Sequence, residues 1–120
     1  MKDIIIKRMV VLIGLLFISI IFQLLTADRS MEDYTQNYIN KSLSAKKYNT
    51  LKSVVKSKTL YHELKKQKKV TLKFAADNQG SENLAYFPAR ISGLKGYVGV
   101  YINMKSVILH EYKLIKITRF

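Results

Sequence analysis

The two histidines of the chain, His62 and His110, each stand directly before a glutamate, which is how the zinc-binding helix of metalloproteases begins. That motif needs a second histidine four positions later, so that two imidazole rings face one metal ion from successive helical turns. Those positions hold Lys66 and Leu114. The chain has no cysteine, so a thiolate metal site and a cysteine nucleophile are excluded. The sequence therefore predicts no metal, no cofactor and no catalytic residue, and hence a protein that is not an enzyme.

Lysines form the first candidate binding surface. The formal net charge is +13, and residues 41–73 contain eleven lysines and one acid, Glu63, a local net charge of eleven minus one, or +10. Such a surface attracts anionic partners, although a solvated helix face in a lysine-rich protein has the same composition. The predicted partner is a protein, or an anionic polymer or lipid, with nucleic acid less favoured. The candidate residues are Lys47, Lys52 and Lys56, predicted to share one helix face, and Lys65 and Lys66 near its end.

Two tyrosines, Tyr97 and Tyr101, form a second candidate surface. They alternate with Val98, Val100 and Ile102. In a strand, successive side chains point to opposite faces of the sheet, so the aliphatic residues would face the core and the tyrosines the outside. Exposed aromatic side chains on one strand can stack on a ligand or anchor a protein interface.

A membrane anchor is predicted near the N-terminus. Residues 9–27 contain no ionisable side chain, and nineteen helical residues span about 28 Å, close to the hydrocarbon thickness of a bilayer. A cleaved signal peptide is the alternative, but cleavage after Ala27 would leave Leu25 where a small residue is preferred. An uncleaved signal anchor is therefore favoured.

The flanking charges predict the orientation of this anchor. Lys2, Lys7 and Arg8 precede the span, whereas Arg29 is the only lysine or arginine among the dozen residues after it. Because cytoplasmic flanks carry more lysine and arginine, residues 1–8 are predicted to be cytoplasmic. The domain formed by residues 28–120 then lies outside the cytoplasm, on a single-pass protein of the cell membrane. Widening the window to Lys47 adds three lysines on the far side and weakens this asymmetry.

Helical signals come first in the domain. Ser30 followed by Asp33 resembles a capping box and predicts a helix start, with apolar or aromatic residues then on one stripe. A second helix is indicated by the spacing of Tyr48, Leu51, Val54 and Val55. A short third helix is predicted over residues 59–66, with Thr59 as its cap.

Strand signals follow from Lys69 onward. Val70, Leu72, Phe74 and Ala76 alternate with more polar residues, and a second strand, residues 84–91, is predicted to lie toward the sheet edge because it contains Pro88. Residues 97–104 alternate again. A long last strand is predicted over residues 107–118, bent near Tyr112 where its alternation slips.

Helices followed by strands predict an α+β fold, in which a transmembrane helix precedes two or three helices packed on a curved antiparallel sheet of about four strands. This element order, over residues 30–120, resembles the NTF2-like and cystatin-like folds. With its membrane anchor, the chain is similar to the small periplasmic or extracellular subunits of secretion and conjugation systems, the VirB8-type proteins among them. The resemblance implies a fold of that kind.

Three functions are compatible with these features. The first is a non-enzymatic component of a bacterial cell-envelope, secretion or conjugation assembly, whose anchored domain docks a partner protein or an anionic envelope polymer. The second is a membrane-bound immunity or exclusion factor that occupies a membrane partner. The third places the domain in the cytoplasm, where it would bind anionic lipid or nucleic acid. The sequence separates neither the first two functions nor the possible oligomeric states, whereas topology decides the third.

Overall fold

The computed structural model describes residues 2–120 and confirms the α+β class. Four helices come first, and four strands follow in one antiparallel sheet with the order β1-β2-β3-β4. The helices are α1 (Lys2–Leu25), α2 (Ala27–Ser44), α3 (Tyr48–Val54) and α4 (Lys58–Lys65), and the strands are β1 (Leu72–Phe74), β2 (Leu84–Ile91), β3 (Val98–Ser106) and β4 (Glu111–Arg119).

The first helix stands apart from the folded domain. None of the residues of α1 is buried, and the helix is long and apolar enough to cross a membrane. It continues almost without a break into α2, because the Thr26 N–H donates to the Phe22 carbonyl and the Ser30 N–H donates to the Thr26 carbonyl. Residues 2–44 as one helix would be about 64 Å long, and the long dimension of the molecule is 68 Å.

This continuity corrects the predicted helix start at Ser30. The N–H groups that a Ser30–Asp33 capping box would satisfy are already bonded to carbonyls of the preceding turn, so Ser30 lies inside a helix. The third predicted helix is also capped differently. The Ser57 hydroxyl, two residues before Thr59, accepts the Leu60 N–H at 3.3 Å.

The far end of α2 is closed by a Schellman motif. The Lys47 N–H donates to the Ser42 carbonyl and the Lys46 N–H to the Leu43 carbonyl. Lys46 has a φ of 53°, the left-handed conformation that glycine usually occupies at this position. The chain therefore turns sharply and starts α3 against the domain.

The second strand is interior, which corrects its predicted position at the edge. β2 pairs with both β1 and β3. Pro88 is tolerated because β1 ends beside it: the Ala75 N–H donates to the Pro88 carbonyl at 2.7 Å, but proline has no N–H to return the second bond of the pair. Pro88 thus lies opposite Ala75, the residue just after the end of β1, so its missing donor does not interrupt the strand.

The last strand is shorter than predicted. Residues 107–110 form a turn, and β4 begins only at Glu111. The pairing of β3 with β4 is irregular in two places, at Ile115 and beside Tyr112, where Met104 pairs with Tyr112 and Ser106 with Glu111, so that Lys105 of β3 is an extra residue. Tyr101 pairs with Lys116 and Ile102 pairs with Leu114, so Ile115 is the extra residue of a bulge.

Helix α2 covers the free edge of β1 with a row of polar side chains. The Phe74 N–H donates to the Glu32 carboxylate at 2.8 Å, and the Leu72 N–H donates to the Gln36 side-chain carbonyl at 2.9 Å. Asn40 makes two bonds with Val70, one to its N–H and one to its carbonyl. Four helical residues rise about 6 Å and two strand residues about 6.7 Å, so the helix and the strand stay in register.

The opposite edge of the sheet is covered as well. The Leu114 N–H donates to the Tyr34 hydroxyl of α2 at 3.1 Å, and the Lys56 N–H donates to the Ile117 carbonyl at 3.0 Å. Each edge strand therefore forms part of its outward hydrogen bonds within the domain, which hinders its pairing with other chains.

The core lies between the helices and one face of the sheet. Met31, Ile39 and Leu43 of α2 face the sheet together with leucines of α3 and α4. On the sheet side, Phe87 is fully buried and its ring stacks on that of Phe74 at 3.9 Å. The buried residues of β3 are Val98, Gly99, Val100 and Ile102.

Candidate interaction surfaces

The chain path gives the domain two distinct ends. At the proximal end, α2 begins beside α1, and the β1–β2 and β3–β4 turns lie here because β1 runs antiparallel to α2. At the distal end lie the C-terminus of α2, both short helices, the β2–β3 turn and the end of β4. Helix α2 has 18 residues, so the two ends are separated by about 27 Å.

Acidic residues gather at the proximal end. Of the seven acids that follow α1, six lie at the start of α2, in the β1–β2 turn or at the start of β4: Asp28, Glu32, Asp33, Asp77, Glu82 and Glu111. Burial raises the pKa of Asp28, and the neighbouring carboxylate of Asp77 raises it further against an opposing effect of the Asn78 backbone. The seventh acid, Glu63, is distal and forms an ion pair with Arg119.

Basic residues gather at the distal end. The stretch from the last turns of α2 to the residues before β1 carries ten lysines, all exposed, and Glu63 is its only acid: Lys41, Lys46, Lys47, Lys52, Lys56, Lys58, Lys65, Lys66, Lys68 and Lys69. The charge of the domain is therefore sorted along its long axis, acidic beside α1 and basic far from it.

The basic end contains a groove between α2 and the residues that precede β1. Its volume is about 630 Å³, and no acid lines it. Two tyrosines and the stems of lysines form the walls, with side-chain amides between them: Tyr34, Asn37, Tyr38, Asn40, Lys41, Ser44, Lys68 and Lys69. A second groove of 360 Å³ shares Tyr38 and Lys41 and adds Lys47. Ammonium and amide N–H donors around an open groove suit a phosphate or carboxylate ligand.

The predicted lysines do not share one helix face. Lys47 precedes α3 as its cap residue, and only Lys52 lies within this helix. Lys56 is in an extended segment because Val55 leaves the helix to pair with Ile117 of β4. Lys65 ends α4, where its ammonium lies 5.0 Å from the centre of the Tyr48 ring, and Lys66 follows it. These lysines surround the distal end on several sides.

The outer face of the sheet is not covered by any described helix and carries a cluster of aromatic rings. Tyr101 lies 4.7 Å from Tyr86 between ring centres, and Phe120 lies 6.3 Å from Tyr86 and 6.4 Å from Tyr97. Gly99 makes room for the Tyr86 ring, since a Cβ at this position would lie 2.9 Å from it. Phe120 is 69% exposed.

Two cations cover this aromatic cluster. The Arg90 guanidinium lies 4.5 Å from the centre of the Tyr97 ring, and the Lys116 ammonium lies 4.5 Å from that of Tyr101. Sequence reasoning placed the two tyrosines on this face but missed Tyr86, Phe120 and both cations. Ala85 and Phe87 of β2 are buried, so alternation along this strand could have placed Tyr86 on the outer face. The pairing register that brings residues of three strands together cannot be read from the sequence.

The two histidines lie far apart in the chain and make different contacts. The His62 ring packs against that of Tyr61 on α4, and His110 contacts the end of α1. Within residues 2–120, no three residues among histidine, aspartate and glutamate are grouped so that they could hold a metal ion.

Comparison with protein-family models, with curated proteins and with solved structures finds no match to this chain. The fold and the surfaces therefore define its class directly: a small α+β domain with a basic end, carried on a helix that is long and apolar enough to cross a membrane.

Proposed function

We propose that this protein is a non-enzymatic, membrane-anchored component of a bacterial cell-envelope, secretion or conjugation assembly. Helix α1 anchors the chain, the domain lies outside the cytoplasm, and the basic distal end binds an anionic polymer of the envelope. The element order shared with the small subunits of secretion and conjugation systems is consistent with this proposal. The observation that carries it is the sorting of charge along the long axis of the domain.

The position of the lysines disfavours the anchoring membrane as their target. The basic end lies about 27 Å from the start of α2, whereas the field of an anionic lipid surface decays over about 8 Å at physiological ionic strength. The acids that lie beside the anchor would be repelled by anionic lipid head groups. Lysines at this distance are better placed to meet a polyanion that extends outward from the membrane.

The orientation of the anchor is tested by protease treatment of intact protoplasts. We expect the domain to be digested, because the lysine and arginine flanks favour a cytoplasmic N-terminus. A cytoplasmic marker protein that survives the treatment shows that the cells are intact. Full protection of the domain until lysis would contradict the proposal and favour binding of cytoplasmic lipid or nucleic acid.

Binding at the groove is tested with the full chain in nanodiscs of neutral phosphatidylcholine. The probe is poly(glycerol phosphate), with dextran as the uncharged polymer. Exchanging Lys68 and Lys69 for glutamine should weaken binding about tenfold and lower the slope of log Kd against log salt by about one to two, because two cations are lost.

The control variant removes the same charge elsewhere. Lys105→Gln with Lys113→Gln changes two exposed lysines of the β3–β4 hairpin at the proximal end, and its affinity should stay close to that of the parent. Equal losses in both variants would mean that net charge alone attracts the polymer. No binding by any of the three proteins would contradict the polymer as partner.

A second candidate function rests on the outer sheet face. Tyrosine and arginine are enriched in the residues that dominate protein interfaces, and here Tyr97 and Arg90 are in contact beside two further aromatic rings. Such a face favours docking of a protein partner, as an immunity or exclusion factor would require. If the polymer does not bind, this face becomes the leading binding surface.

A further inference from the structure

The turn between β3 and β4 presents two aliphatic side chains to the outside. Leu109 is 70% exposed and Ile108 is 47% exposed, while Val107 beside them packs against the core. Hydrogen bonds within the turn fix its shape: the Leu109 N–H donates to the Ser106 hydroxyl at 3.1 Å, and the His110 N–H donates to the Val107 carbonyl at 3.4 Å. The turn therefore has a defined conformation and an apolar tip.

The tip lies beside the last turns of α1. The Nε2 of His110 is 3.1 Å from the Gln23 carbonyl oxygen, and because a carbonyl only accepts, Nε2 is the donor. Gln23 and Ile20, three positions apart, are the only residues of α1 that are partly covered. The β3–β4 turn therefore packs sideways against the end of the apolar helix.

This contact fixes the height of the tip relative to the anchor. Gln23 is four residues before Ala27, the end of the uncharged run, so His110 contacts the helix about 6 Å inside that end. Apolar groups that rest in a membrane interface lie about 5–10 Å into the boundary between head groups and acyl chains. Ile108 and Leu109 directly precede His110 in the same turn, so we infer that they lie near this level.

The flanks of the turn suit the head-group region. Lys105 and Lys113 are exposed on the two strands that lead into and out of the turn, with Glu111 between them in the chain. His110 stacks on Tyr112, which gives the base of the tip an aromatic and polar character. Aliphatic residues at the tip, with lysine and aromatic residues just above, form the usual gradient across a membrane interface.

We propose that Ile108 and Leu109 insert into the interface of the same lipid bilayer that α1 spans, as a second membrane contact of the domain. This inference rests on the proposed role of α1 as an anchor. A single helix would leave the domain free to tilt relative to the membrane, whereas two contacts with one surface restrict that tilt. The second contact thereby keeps the basic distal end directed away from the membrane.

The test uses single-tryptophan variants of the full chain, which has no tryptophan of its own. Leu109→Trp reports on the tip, and Phe17→Trp reports on the middle of α1. Lys95→Trp is the matched control, because it lies in the exposed turn at the opposite end of β3. Each protein is reconstituted in phosphatidylcholine vesicles, and quenching is measured with brominated lipids and with iodide in the water.

We expect brominated lipid to quench Leu109→Trp at least about threefold more than Lys95→Trp, and bromine near the head groups to be the more effective. Iodide should rank the two variants in the reverse order. Adding Ile108→Asp to the Leu109→Trp protein should reduce lipid quenching, because a carboxylate is costly to bury in the interface. Loss of quenching in this double variant shows that Ile108 contributes, and that tryptophan alone does not pull the tip into the lipid.

The outcomes separate this inference from the proposed function. Lipid quenching of Phe17→Trp together with iodide quenching of Leu109→Trp would overturn the second contact and leave the anchor intact. A tip shielded from both quenchers would show that a protein surface, such as a second copy of the chain, covers it, and would also overturn the inference. Absence of lipid quenching at Phe17→Trp would contradict the anchor and the second contact together.

Discussion

A fragment that begins at Thr26 should be a soluble domain that unfolds cooperatively, while the full chain stays in the membrane fraction. Every buried hydrophobic residue lies at or after Ala27, and α1 contributes none. Removing α1 therefore removes about 36 Å of apolar helix without opening the core. Fractionation by ultracentrifugation and thermal unfolding by circular dichroism measure the two parts of this prediction.

The choice of boundary provides an internal control. A fragment that begins at Ser30 matches the predicted helix start but lacks Ala27, which is 6% exposed, and the first turn of α2. We expect it to be less stable than the longer fragment by about 1 kcal/mol, or several degrees in Tm, because buried apolar area and helical turns are lost. A Thr26 fragment that remains unstructured would show that the domain depends on its anchor.

Replacing Gln36 and Asn40 by alanine should destabilise the domain by about 3 kcal/mol. The two side chains make three hydrogen bonds to the backbone of Leu72 and Val70. Each lost bond leaves a backbone group at the sheet edge unpaired, at about 1 kcal/mol each for partly buried groups. For a domain of this size the change corresponds to a drop in Tm on the order of 15 °C.

The control uses an exposed face of the same helix. Asp33 and Asn37 are also four residues apart on α2, are exposed, and make no hydrogen bond to the sheet, so Asp33→Ala with Asn37→Ala should leave Tm within a few degrees of the parent. Faster hydrogen exchange at Val70 and Leu72, in the first variant only, would locate the effect. Similar unfolding curves for both variants would contradict a role of α2 in covering the edge. An uncovered β1 edge is also expected to promote association between chains.

Local sequence patterns predicted the elements well. The period of the apolar residues separated helices from strands, and glycines marked the β2–β3 turn, where Gly93 and Gly96 adopt a positive φ. The errors came at boundaries and positions that depend on neighbours. Ser30 failed as a cap because a preceding helix already supplied the acceptors, and Pro88 failed as an edge signal because its partner strand ends beside it.

The candidate surfaces likewise combine features that local sequence patterns predicted with features that depend on tertiary contacts. Lysine composition indicated a basic surface. However, α3 contains only Lys52, so Lys47 and Lys56 lie outside the helix face to which they were assigned. The groove that contains Lys41, Lys68 and Lys69 is lined by residues of α2 and by residues that precede β1, more than twenty positions later. Local residue spacing therefore could not predict it. On the sheet, Tyr97 and Tyr101 were found from alternation within one strand, whereas Tyr86 and Phe120 join them only through pairing between strands.

An apolar N-terminal helix long enough to cross a membrane, an α+β domain after it and a large positive charge could all be predicted from the sequence, because these features depend on composition and on periodicity along the chain. The position of this charge depends on tertiary packing. Antiparallel packing of β1 on α2 carries Lys68 and Lys69 to the far end, and returns Asp77 and Glu111 to the side of α1. It also brought the β3–β4 turn to Gln23. Contacts between residues so distant in the chain depend on how strands and helices pack together. The local spacing of residues does not encode this packing.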